Sequence, residues 1–148
     1  MEILIIIFIL LFLIGVIGFL KPSKKMKALS AIRLVAYKEG FKIGSTGELR
    51  KKFKTWNPQV AIYQIKNKSK YSKIHYIKSE SKFELYSPIS LKYDKKFMEI
   101  EKKISFLPRS ILEIIFFKSN IAFVWDENLG AEELLKIKDA ILKIWNLI

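Results

Sequence analysis

The sequence predicts an α+β protein: an N-terminal transmembrane helix followed by a small domain with a mainly antiparallel sheet covered by helices on one face. Three observations predict it. Residues 3–20 form an unbroken apolar run, and residues 60–126 contain several short segments rich in β-branched and aromatic residues. The chain then ends in a segment whose apolar residues recur at helical spacing. Strands grouped between helices are typical of the α+β class.

The composition restricts the chemistry. The chain has 148 residues, one His and no Cys, which excludes a disulfide scaffold, a thiolate metal site and a Cys nucleophile. The residues that follow the apolar run suffice for one domain with its own core, but not for two. We therefore expect an anchor at 1–20, a basic juxtamembrane helix at 21–40 and an α+β domain at 41–148.

The apolar run is long enough to span a membrane. At roughly 1.5 Å per helical residue it covers about 27 Å, close to the thickness of a bilayer core. A cleavable signal peptide would need basic residues before the run and small residues after it, and neither is present. A buried core helix would not be apolar on every side. The two glycines are three residues apart, which is not the Gly-x-x-x-Gly spacing of helix dimers. The expected membrane span includes Ile3, Leu10, Gly15, Gly18 and Leu20.

The charge distribution predicts the orientation. Residues 21–54 contain eleven Lys or Arg against two acidic residues. The positive-inside rule then places the N-terminus outside and the domain in the cytoplasm, so we expect a single-pass protein of a bacterial inner membrane. Basic residues near the span are expected to contact anionic lipid headgroups or an acidic partner. These contact residues are Lys21, Lys24, Lys25, Lys27, Lys51, Lys52 and Lys54.

The elements between residues 22 and 78 are predicted from the positions of Pro and Gly, which end regular structure, and from residue composition. A helix is expected from Pro22 to Glu39, since Pro suits a first helical turn and Gly40 suits a C-terminal cap. A short strand at Phe41–Ile43, a turn at 44–47 and a basic connection at 48–58 follow. Residues 60–65 and 73–78 have strand composition, and the polar stretch between them suits a loose hairpin connection.

The second half contains the most regular patterns. A strand is expected over residues 83–91, which Pro88 would either restrict to a sheet edge or end, and residues 94–106 have the spacing of a helix. Residues 113–118 and 121–126 predict a hairpin through Ser119 and Asn120. The C-terminal helix from Ala131 should bury one stripe. That stripe consists of Leu134, Ile137, Ile141, Ile144, Trp145 and Ile148.

No residue pattern predicts catalysis. His75 is the single imidazole and lies in a predicted strand without an identifiable partner, so we interpret it as structural. The acidic pairs Glu99/Glu101, Asp126/Glu127 and Glu132/Glu133 could be paired carboxylates, but helix capping explains Glu132 and Glu133 and a strand end explains Asp126 and Glu127. We therefore favour structural roles over acid–base catalysis. The turn at 44–47 lacks the spacing of a phosphate loop. We therefore predict a protein that is not an enzyme, with no cofactor and no metal site.

Residues 70–78 alternate bases with aromatic residues, as a nucleic-acid stacking platform would. An amphipathic strand in a Lys-rich protein produces the same pattern, and 24 of the 27 basic residues are Lys. We favour the amphipathic strand.

Residues 3–47 resemble YajC, the small accessory subunit of the bacterial Sec translocon. The resemblance lies in an apolar span followed by Lys21-Pro22-Ser23-Lys24-Lys25-Met26-Lys27, a helix and the segment from Gly40 to Gly44. It implies a Sec-associated membrane subunit without enzymatic activity, or a separate, uncharacterised family of anchored proteins that shares these features.

The sequence thus predicts a membrane-anchored interaction domain. Its expected partners are the bilayer with its anionic headgroups and another membrane protein. The alternative is a membrane-tethered module that binds nucleic acid or the ribosome.

Overall fold

A computed structural model describes residues 1–44 and 46–146. The elements confirm the α+β class, and all pairings within the sheet are antiparallel. The helices are α1 (Glu2–Leu20), α2 (Lys24–Lys38), α3 (Gly47–Lys52), α4 (Phe97–Ile104) and α5 (Ala131–Asn146). The strands are β1 (Lys42–Ile43), β2 (Ala61–Lys66), β3 (Ile74–Ser79), β4 (Lys82–Ser87), β5 (Ile111–Phe116) and β6 (Asn120–Trp125).

The strands form one six-stranded sheet in the order β1-β2-β6-β5-β3-β4. The β5–β6 hairpin is confirmed, with Phe123 facing Ile114 across it and Tyr63 of β2 on the other side. β4 lies at the sheet edge and ends just before Pro88, as predicted. The α4 helix is shorter than the predicted 94–106. It follows a separate 3-10 helix at Ile89–Tyr93, begins only at Phe97 and ends at Ile104.

The predicted hairpin connection between β2 and β3 is wrong, because the β5–β6 hairpin lies between them. Asn67, the first residue after β2, fixes the path of the connection to β3. Its side-chain amide donates to the carbonyls of Tyr71 and Phe117, both at 2.7 Å, and its backbone N–H donates to the carbonyl of Ser119 at 3.0 Å. The polar segment therefore crosses the ends of β6 and β5 rather than turning back on β2.

One face of the sheet carries the main core. Side chains from α2, α4 and α5 pack there against the inward-facing residues of the strands, including Tyr63, Phe123 and Trp125. The predicted stripe of α5 is confirmed at Leu134, Ile137, Ile141, Ile144 and Trp145, which are all buried. Ile148 lies outside the described residues.

The second face of the sheet is covered as well, by α3 and the segment that follows it. The predicted sheet with helices on one face therefore describes only part of the packing. Phe53, Ile62 and Val124 lie in a second apolar cluster, with Leu49 and Trp56 packed against it. The covering segment begins with α3, where the sequence predicted only a basic connection. Thr46 caps α3 by accepting a hydrogen bond from the N–H of Leu49 at 3.4 Å. A six-residue helix is too short to show a helical period. Ser45, in the predicted turn, lies outside the described residues.

The α2 helix belongs to the domain only in its second half. It begins at Lys24 rather than at Pro22, because Ser23 is the N-cap and accepts from the N–H of Met26 at 3.2 Å. Ile32 and Ala36 are buried in the core, whereas residues 24–31 are exposed apart from the half-buried Leu29. We call residues 24–31 the stalk, since these two turns extend about 12 Å without being covered by the domain.

Candidate interaction surfaces

The α1 helix has the properties of a bilayer-spanning segment. It has 19 residues, its 18-residue apolar window has a mean hydropathy of 3.5, and none of that window is buried against the rest of the chain. The predicted span residues Ile3, Leu10 and Leu20 are exposed, and open space surrounds Gly15 and Gly18. Within the described residues, α1 is the one helix long and apolar enough to cross a membrane.

The predicted contact lysines fall into two groups. Lys21, Lys24, Lys25 and Lys27 are exposed on the stalk and on the three residues that join it to α1. The other group, Lys51, Lys52 and Lys54, lies in and just after α3, which borders the second half of α2 through a groove shared by Arg33 and Arg50. Arg33 is nine residues beyond Lys24, about 13 Å along the helix. The seven predicted contact lysines thus lie on two separate segments of the chain.

An apolar stripe lies on the outer side of α2. Met26, Leu34 and Tyr37 are exposed by 59%, 57% and 65% of their surface. At about 100° per residue the three lie within an arc of about 80°, in which Leu34 is opposite the buried Ile32 and Ala36, whereas Met26 and Tyr37 lie to one side of them, next to Arg33. An exposed apolar patch rimmed by charged residues is typical of a protein or membrane contact.

A groove of about 390 Å³ adjoins this stripe. It contains two arginines and two aromatic side chains, Arg33, Tyr37, Arg50 and Trp56, and its floor includes residues from the start of β2. The guanidinium of Arg50 lies over the Trp56 ring, 4.3 Å from its centroid. Among the described residues that line the groove there is no Asp or Glu.

The guanidinium of Arg33 is fixed in place by hydrogen bonds to Glu127. Its Nε and Nη2 donate to the two carboxylate oxygens of Glu127 at 3.0 and 3.1 Å, and the Tyr63 hydroxyl donates to the same carboxylate at 2.7 Å. Burial raises the pKa of Tyr63, and the hydrogen bond to Glu127 adds to this effect, so the hydroxyl stays a donor. The Glu127 hydrogen bond raises the pKa of Arg33. The sequence analysis assigned Glu127 to a strand end and missed this link between α2 and the domain.

His75 has a partner that the sequence analysis did not identify. Its Nε2 contacts the fully buried carboxylate of Glu113, and its ring packs on Tyr86 with centroids 4.8 Å apart. The same carboxylate accepts from the N–H groups of Lys54 and Thr55 at 2.7–3.0 Å and from the Thr55 hydroxyl at 2.6 Å. Glu113 thereby fastens the segment after α3 to the sheet. The signal in the sequence was a lone charge within the apolar run Ile111–Phe116.

The remaining candidates have structural roles. Glu99 forms an ion pair with Lys103 at 2.8 Å, Glu133 pairs with Lys136, and Asp126 accepts from the N–H of Asn128. In the described part of the chain, no three His, Cys, Asp or Glu residues are grouped to hold a metal ion.

The aromatic residues of the basic segment at 70–78 are not available for stacking on bases. Tyr71 and Tyr76 are buried in the main core, and His75 is covered by Tyr86 and Glu113. The strand that we favoured covers only residues 74–78 of the segment; Lys70 and Lys73 are exposed before it, and Lys78 is half-buried within it.

The fold and these surfaces define a class: an α+β domain linked by three residues to an apolar helix of membrane-spanning length. No family model, no curated protein and no solved structure matches the chain.

Proposed function

We propose that this chain is a single-pass protein of a bacterial inner membrane whose cytoplasmic domain is an interaction module rather than an enzyme. The apolar α1 and the excess of basic residues after it support this topology. The linker of three residues and the two-turn stalk together span at most about 22 Å, which keeps the domain close to the membrane.

The observation that carries the proposal is the exposed apolar stripe on α2. It starts on the stalk at Met26 and ends at Tyr37 beside the groove, so it is presented next to the bilayer. A partner embedded in the same membrane is in the position to cover it. Anionic headgroups are the second partner, attracted by the stalk lysines at up to about 1 kcal/mol for each residue.

An accessory role in protein translocation is the specific form of this proposal. It rests on the resemblance of residues 3–47 to YajC. The alternative, a tethered nucleic-acid or ribosome binder, now depends on exposed lysines alone, because the aromatic half of its surface is buried.

Site-specific photocrosslinking in native membranes tests the proposal. A photoreactive phenylalanine analogue replaces Tyr37 in one variant and Tyr93, which is 88% exposed on the 3-10 helix before α4, in the control. We expect one membrane-protein adduct from position 37 and none from position 93. Translocon subunits in that adduct would support the accessory role, and ribosomal material that salt removes would support the alternative. Equal labelling from both positions would contradict a partner surface on α2.

A further inference from the structure

The use of arginine in this chain is selective. Only three of the 27 basic residues are Arg, and two of them, Arg33 and Arg50, line the same groove. Lysine serves almost everywhere else, including the stalk. A guanidinium differs from an ammonium in presenting a planar fork of donors that matches the oxygens of a phosphate group.

The Arg33 guanidinium is positioned before any ligand arrives. Glu127 occupies Nε and Nη2, and Tyr63 orients the carboxylate from the core side. This leaves Nη1 as the guanidinium nitrogen without a role in the Glu127 contact. The Arg33 side chain lines the groove and is 48% exposed, so a ligand in the groove can reach its guanidinium group.

The Arg50 guanidinium is also positioned. It lies over Trp56, which packs against the second apolar cluster of the sheet. Stacking occupies one face of the guanidinium and leaves the in-plane N–H donors directed sideways. With no acidic residue among the described lining residues, the groove has a positive potential that Glu127 only partly offsets.

We propose that the groove between α2, α3 and β2 binds a phosphate group through Arg33 and Arg50. The phosphate belongs either to an anionic lipid headgroup or to a soluble phosphorylated molecule. The groove shares Tyr37 with the apolar stripe on α2, but the proposed phosphate ligands are the two arginines, so the binding test does not depend on the proposed partner contact.

The test uses the full-length protein in nanodiscs of phosphatidylcholine. Inorganic pyrophosphate is titrated by calorimetry into the wild type, Arg50→Gln, Arg50→Lys and the control Arg109→Gln, which removes the third arginine from an exposed position outside the groove. In a second arm, phosphatidic acid is added to the discs and its ³¹P resonance is followed.

We expect the wild type and Arg109→Gln to bind equally and Arg50→Gln to bind about tenfold more weakly. Arg50→Lys, which keeps the charge but loses the fork, should also bind more weakly. Binding in the first arm supports a soluble ligand, and a shift of phosphatidic acid alone supports a lipid. Three results would overturn the proposal: Arg50→Gln and Arg109→Gln bind pyrophosphate equally well, Arg50→Lys binds as the wild type does, or neither probe binds.

Discussion

Glu113 is the single charged residue on β5, and its carboxylate is completely buried. Its oxygens accept from two backbone N–H groups, one hydroxyl and the imidazole of His75. Burial alone would raise the pKa of Glu113, but the hydrogen bonds from His75, Thr55 and Lys54 together lower it below its ordinary value. The charged form therefore stabilises the fold.

We predict that Glu113→Gln lowers the free energy of unfolding by about 3 kcal/mol at neutral pH, because an amide places N–H donors against the donors of Lys54, Thr55 and His75. Urea unfolding followed by tryptophan fluorescence measures this. The exposed Glu84→Gln on β4 is the matched control and should change the value by less than about 0.5 kcal/mol.

The loss of stability in Glu113→Gln should also depend on pH. Because the folded pKa of Glu113 lies below the ordinary value of 4.5, its contribution is fully present above that pH and is lost as the pH falls through the folded pKa. The difference between the wild type and Glu113→Gln should therefore narrow below about pH 4.5. A difference that stays constant into acid would contradict a charged, stabilising Glu113.

At the scale of elements, local patterns were sufficient for some parts of the fold and not for others. The β5–β6 hairpin and α5 could be predicted because their signals, a tight turn and a helical stripe, lie within about sixteen residues. The neighbour of β2 could not be predicted, since strand pairing depends on which apolar faces meet. Likewise, Arg33 and Glu127 are 94 positions apart, and His75 and Glu113 are 38 apart. Nothing local links such partners.

Asn67 stabilises the connection between β2 and β3. Its side-chain amide donates hydrogen bonds to the carbonyls of Tyr71 and Phe117. We predict that Asn67→Ala lowers the free energy of unfolding by about 2 kcal/mol, because two partly buried carbonyls lose their donor. The exposed Asn128→Ala, whose side chain makes no such link, is the control for the same measurement. Equal effects of the two variants would show that the crossing does not depend on the amide.

At the scale of the whole molecule, the proposed topology makes the stalk the element that sets the distance between the domain and the bilayer. Lys24 lies up to about 10 Å from the end of α1 and Lys27 up to about 15 Å, of the same order as the Debye length at physiological salt. The α3 lysines lie beside the second half of α2, about 13 Å or more beyond Lys24 along the helix. An upright α2 would therefore leave the α3 lysines screened from the headgroup charges, whereas a helix lying along the surface would bring both groups into contact.

Two variants with the same change of charge distinguish these arrangements: Lys24→Gln, Lys25→Gln and Lys27→Gln together, and Lys51→Gln, Lys52→Gln and Lys54→Gln together. Because the chain has no Cys, Ser30→Cys gives a single site for a spin label on the exposed stalk, in full-length protein in nanodiscs with anionic lipid. We expect the stalk variant to lose the salt-sensitive approach of the label to the headgroups, because each lost lysine removes up to about 1 kcal/mol of attraction. The α3 variant should behave as the wild type, and phosphatidylcholine discs should abolish the difference. An equal loss in both variants would mean that α2 lies along the bilayer, in which case the apolar stripe would contact lipid rather than a protein partner.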